Sequence, residues 1–403
     1  MRRIGVGDIK IGPEEKEAVL YVLDSGRITE GQKVLEFESQ FSKYIGKKYS
    51  VLVNSGTSAL ITGLNAFKYN YKQVKPSSKV ITTPLTYIAT VNAIRHANLE
   101  PVFVDVDPYN FNITPEGILA HLEQVNDVSE YSIILPVHLM GFPVDMPKIN
   151  TIAEKNDLLT FEDAAQAHGS NINGTKCGAF SLASAFSFYV AHNIQVGEMG
   201  ALVTDDENIM RFSRRFKANG RMCDCLVCTR SQGTCPNKGM VDAGIDPRFH
   251  HIHTGHNFKT SDIFAAIGLV QLRKAEEIMR KRFENVRTLN EGLETFSDIL
   301  QLPEVSPDIN YLAYPIVLKK PDVISRYKLI LGLEAHGVET RPLFSCIPTQ
   351  QPAYHHLKEF YHGKLPNAEY IGNNGFYIGI HQYLDKTDLD YIINIFNNIF
   401  RKI

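Results

Sequence analysis

The feature that most constrains this chain is a succession of short apolar or β-branched runs separated by helical stretches. The runs are Ser50–Val53, Val80–Thr83, Val102–Asp105, Ile133–Val137, Leu158–Phe161, Ala185–Phe188 and Ala201–Thr204. Runs this short, and continuous rather than alternating, suit strands that are buried on both faces. Amphipathic patterns at Glu14–Leu23 and Glu36–Tyr44, and an Ala/Leu-rich stretch from Ala59, supply the covering helices. An α/β fold follows, with a large, mixed but mostly parallel sheet. Ligands of such sheets bind beyond the carboxyl ends of the strands. The polar residues that follow each run are therefore the candidates for chemistry.

A chain of 403 residues exceeds one ordinary core. The helical pattern Asp262–Asn290 leads out of the sheet region. A strand at Leu312–Leu318 and helices at Asp322–His336 and Asp388–Ile399 read as a smaller α+β unit. The expected division is a large domain over 1–275 and a small one over 276–403. The 42 basic and 44 acidic residues nearly cancel, which argues against a nucleic-acid partner. No apolar run reaches the roughly 18 residues of a membrane span. Met1–Gly5 leads into charged sequence without the apolar core of a signal peptide, so a cytoplasmic location is expected.

Three segments carry candidate chemistry. Ser55-Gly56-Thr57-Ser58 lies at a strand-to-helix junction, where backbone N–H groups and hydroxyls can cradle a phosphate. The same residues are also ordinary helix caps. Glu162-Asp163-Ala164-Ala165-Gln166-Ala167-His168-Gly169 follows an apolar run, and an acid there can pair with a protonated pyridine nitrogen or cap a helix. The third is Ser187-Phe188-Tyr189-Val190-Ala191-His192-Asn193, followed by Gly197-Glu198-Met199-Gly200.

These pieces, in this order, resemble the DegT/DnrJ/EryC/StrS sugar aminotransferase family. The likeness extends to Gly7–Glu15, Pro84–Thr90, Pro136–Gly141, Gly255–Asp262 and Gly337–Pro342, and so covers nearly the whole chain. It implies the type I, aspartate-aminotransferase-like fold of pyridoxal enzymes. It also implies roles for single residues. Gly56, Thr57 and Ser187 would hold the cofactor phosphate. Tyr87 would stack on the pyridine ring, Asp163 would pair with its nitrogen, and Gln166 would lie by its hydroxyl. Asn257 would reach the phosphate of a second subunit, which makes the active site shared across a homodimer.

Position 192 departs from the family pattern. The family has lysine there, whereas this chain has His192. Imidazole cannot form the Schiff base, so the cofactor would be held non-covalently, as pyridoxamine 5'-phosphate alternating with pyridoxal 5'-phosphate. A histidine can still move protons near neutrality. The same replacement marks the family's 3-dehydratases of GDP-4-keto-6-deoxymannose and CDP-4-keto-6-deoxyglucose. Gly220–Cys225 and Asn374–Ile380 also resemble those enzymes, whereas Ala165 and Gln166 do not.

The expected activity is therefore C3 dehydration of a nucleotide-linked 4-keto-6-deoxy sugar with His192 as base. Sugar transamination from glutamate is the alternative, and a catalytically silent regulatory homologue is the third reading. Cys223, Cys225, Cys228 and Cys235 fall on one loop and could supply four thiolates to zinc or an iron–sulfur cluster. A cluster would bring in a reductase partner. Reduced cysteines without metal are the other reading.

Overall fold

The computed structural model describes residues 3–401 apart from 238 and 240–242. Seven strands form the main sheet: β1 (Tyr49–Val53), β2 (Lys79–Thr82), β3 (Glu100–Phe103), β4 (Tyr131–Leu135), β5 (Leu159–Asp163), β6 (Ala183–Ser187) and β7 (Gly200–Thr204). Their spatial order is β1-β7-β6-β5-β4-β2-β3, and only the pairings of β7 with its two neighbours are antiparallel. Every expected strand of this sheet is present, within a few residues of the apolar run that marks it.

Consecutive strand residues feed different cores, as the two-residue side-chain period requires. Val80 and Ile133 join the layer of Leu60, Leu64 and Phe67 from helix α1 (Gly56–Asn70), whereas Ile81 and Ile134 join the opposite core. Phe186 and Val203 pack with Phe37 and Phe41 of the helix Gln32–Ile45. Burial on both faces is why the runs are continuously apolar rather than alternating.

The second sheet has order β8-β9-β11-β10, from β8 (Leu300–Gln301), β9 (Tyr314–Leu318), β10 (Thr340–Pro342) and β11 (Gly375–Ile378), all antiparallel. Ile316 and Phe376 of this sheet share one apolar cluster with Ile81 and Ile134 of the first.

The expected single helix over Asp262–Asn290 is two helices, α2 (Asp262–Arg273) and α3 (Ala275–Leu293). At Lys274 the backbone leaves helical geometry, with ψ 0°, and the side chain reaches Glu15 at 2.9 Å. The turn lets α2 pack on the helices Pro13–Asp24 and Gln32–Ile45 while α3 lies against the C-terminal helix Lys386–Phe400.

Candidate active site

The carboxyl ends of the strands bring most of the singled-out residues together. Gly56 opens α1 directly after β1, and Ser55 caps that helix by accepting the Ser58 amide at 3.1 Å. A Cβ on Gly56 would lie 2.5 Å from the Ser187 Cβ, at the end of β6. Only glycine allows the helix N-terminus to approach the Ser187 hydroxyl this closely. Gly56 and the Ser187 hydroxyl thus meet at a positive helix end, with Thr57 next in its first turn.

Asp163 ends β5 and is 4% exposed. Thr90 Oγ1 donates to its Oδ2 at 2.8 Å, and the Ala165 amide to its Oδ1 at 3.2 Å. Burial pushes the carboxyl up, and these bonds oppose that. A cation placed against it would relieve the cost of the buried charge. Thr90 was not expected as a site residue, although it closes the Pro84–Thr90 motif.

The neighbouring Glu162 side chain is fully buried and turned away from Asp163's surroundings. It accepts the amides of Gly178 (2.6 Å), Phe180 (3.1 Å) and Ser181 (2.7 Å) and contacts His138 Nε2 at 3.0 Å. Burial opposes its ionisation, yet these donors hold its carboxyl below the ordinary value. His138 Nδ1 takes the Val144 amide at 3.0 Å, so Nε2 carries the proton given to Glu162. This network ties the end of β5, which carries Asp163, to the segment 178–181 and to His138.

Gln166 Oε1 accepts the Met140 amide at 2.8 Å, which leaves its Nε2 as the free donor. Tyr87 is 62% exposed, with its ring 6.3 Å from Phe344, at the open side of the site. Asn257 is exposed on a segment that bridges Ala218.

His192 follows β6 in a tight turn, with its amide donating to the Tyr189 carbonyl at 2.9 Å. Its Nδ1 lies 2.9 Å from the Ser187 carbonyl. A carbonyl only accepts, so Nδ1 carries the proton and Nε2 is the free base nitrogen. Burial of the ring, helped by the Arg282 charge, pushes its pKa down to about 4 despite the bond to Ser187. The imidazole is neutral at neutral pH. His168 lies 6.3 Å away, flat between Phe186 and Phe188. Two lysines that could have replaced the family's are engaged elsewhere. Lys217 is buried against Glu30 and the Leu52 carbonyl, both at 2.7 Å, and Lys176 lies 4.5 Å from the Tyr44 ring.

Of the four cysteines expected to hold a metal, Cys223 and Cys235 lie close enough to Cys225 to act on its thiol. Cys223 and Cys225 are adjacent, and burial first, then Cys223, pushes the Cys225 thiol up to about 12. Cys228, however, is exposed beside Arg248. The Arg221 guanidinium donates to the carbonyls of Cys223 (3.1 Å) and Cys225 (2.8 Å). Among the described residues, no three or more His, Cys, Asp or Glu side chains converge as a metal requires.

The rest of the site fits a pyridoxal-type cofactor: a glycine-permitted phosphate cradle, a buried carboxylate and a free imidazole nitrogen. Comparisons with known proteins agree. The chain is 31% identical to the lipopolysaccharide biosynthesis protein RfbH of Salmonella typhimurium, over 97% of this chain and 90% of that protein. It is 30% identical to GDP-perosamine synthase of Caulobacter vibrioides, over 97% and 96%. The structure of the E. coli GDP-4-keto-6-deoxy-D-mannose-3-dehydratase with bound hydrated PLP superposes with a TM-score of 0.85 at 26% identity, over 98% of this chain and 99% of that one. Residues 9–397 match the model of one enzyme family. The chain belongs to the DegT/DnrJ/EryC1/StrS aminotransferase family and has the fold of its pyridoxal-dependent enzymes.

Proposed function

We propose that this chain removes the C3 hydroxyl of a nucleotide-linked 4-keto-6-deoxy sugar, using pyridoxamine 5'-phosphate held without a covalent bond. The observation that carries this reading is His192, a neutral imidazole with Nδ1 tied down and Nε2 free where the family has lysine. When bound, the cofactor supplies a primary amine and an electron-accepting ring.

The chain's own residues do the rest. Gly56, Thr57 and Ser187 bind the phosphate, and Tyr87 covers the ring. Asp163, charged once a cation faces it, keeps the ring nitrogen protonated, and Thr90 holds that carboxylate in place. The Gln166 amide donates to the ring hydroxyl. His192 Nε2 removes a proton and holds it within reach of the departing C3 hydroxyl, which leaves as water. Asn257 completes the phosphate site of a second subunit in a homodimer. The nitrogen leaves with the sugar, water hydrolyses it off as ammonia to give the 3-deoxy-4-keto sugar, and glutamate supplies the next amine. This route calls on neither the cysteine loop nor a reductase.

Transamination is the second reading, favoured by Gln166 and by the likeness to GDP-perosamine synthase. Purified chain given glutamate, cofactor and a 4-keto-6-deoxy sugar nucleotide separates the two by product mass and NMR. A product lacking the C3 oxygen supports dehydration. A stable amino sugar with that oxygen retained overturns it.

A further inference from the structure

Arg282, on α3, is 0% exposed. Among the described residues no carboxylate forms an ion pair with it, and its Nη2 has no partner. A buried, unmatched cation is costly and calls for a reason. Its other atoms are placed with care. Nη1 donates to the carbonyls of Tyr311 (3.1 Å) and Leu312 (2.7 Å), just ahead of β9. Nε donates to Gln382 Oε1 at 3.2 Å.

From Gln382 a directed relay runs to the His192 turn. Gln382 Nε2 donates to Gln195 Oε1 at 3.4 Å, and Gln195 Nε2 donates to the Val190 carbonyl at 2.6 Å. Direction is dictated at both ends. Arginine can only donate, and a carbonyl can only accept. Each amide between them therefore has a single orientation that satisfies both neighbours. We propose that Arg282, acting through Gln382 and Gln195, is a positioning residue that fixes the turn 189–197 and with it the orientation of His192. This rests on the reading of His192 as the base.

The same cation adds to the effect of burial on the surrounding histidines. His192, His168 and His381 all sense it, and burial with this charge pushes each of them down. The groups facing His192 are His168 from the segment after β5, Tyr189 on its own turn, and Arg282 from α3. None is a carboxylate.

The test compares Arg282→Met and Gln382→Leu with the parent chain. Gln382 is only partly buried, so its variant folds even if the arginine variant does not. Three quantities are read: the NMR titration of the His192 imidazole, pyridoxamine phosphate affinity, and kcat and KM for the 4-keto sugar. Expected for Gln382→Leu is a kcat lower by on the order of 10- to 100-fold, with little change in KM or cofactor affinity and a shifted, broadened His192 resonance. Arg282→Met is expected to raise the His192 titration point as well. An unchanged His192 resonance and kcat in Gln382→Leu overturns the relay. If the parent chain makes no 3-deoxy sugar, the functional reading fails, and the resonance and affinity still decide the relay.

Discussion

Replacing Gly56 with alanine tests the cradle most directly. The added Cβ would lie 2.5 Å from Cβ, 3.1 Å from Oγ and 3.3 Å from Cα of Ser187. Carbon atoms pack at roughly 3.5–4.0 Å, so the shortfall is about 1 Å. Neither side can yield cheaply. Ser187 is paired to Gly200 across the sheet, and Gly200 itself lies so near the Ser55 carbonyl that a Cβ there would sit 2.2 Å from its oxygen. Overpacking of this kind costs about 1–3 kcal/mol. It also drives the Ser187 hydroxyl out of the phosphate position. We expect a lower denaturation midpoint and a pyridoxamine phosphate Kd raised about ten-fold or more, the equivalent of about 1.4 kcal/mol. Thr57→Ala is the control, since it removes a donor without adding bulk and should weaken binding while leaving the midpoint in place. Paired fluorescence titrations and urea melts measure both quantities. If Gly56→Ala binds and melts like the parent chain, the reasoning from close approach is wrong.

Three further outcomes are expected. His192→Lys should gain a cofactor that borohydride fixes to residue 192, whereas the parent chain should show no fixed cofactor; label found on Lys176, Lys217 or another lysine of the parent would sink the non-covalent reading. Thr90→Val removes a buried bond of 2.8 Å to Asp163 and should weaken cofactor binding by about 1.5–3 kcal/mol with little change in fold; unchanged affinity would show that Asp163 needs no second holder. Stability should fall as pH drops from 6.5 towards 4. The folded-state values of His192, His168 and His381 lie below their ordinary 6.5, so the unfolded chain binds protons that the folded chain refuses. Each contributes up to about 1.4 kcal/mol per pH unit in that window and nothing above it. A urea midpoint that is the same at pH 7.5 and 5.5 would contradict this.

The sequence by itself determined the fold and the frame of the site. Strands buried on both faces must be apolar throughout, so Val80–Thr83 or Ala201–Thr204 announces itself without a neighbour. Gly56 and Asp163 were legible from their place just after such runs, and Ser187 and His192 from the resemblance to the family pattern. Only the tertiary structure decided the rest. Thr90 and Asp163 are 73 positions apart, and no local pattern joins them. The relay from Arg282 through Gln382 to Gln195 joins three distant segments, and its direction exists only once they meet. The break at Lys274 lies within a helical period that continues through it, and its ion pair with Glu15 spans 259 positions. The cysteine loop shows the converse limit. Spacing placed four thiols on one short segment, but it fixes reach and not direction, and the fold leaves Cys228 exposed.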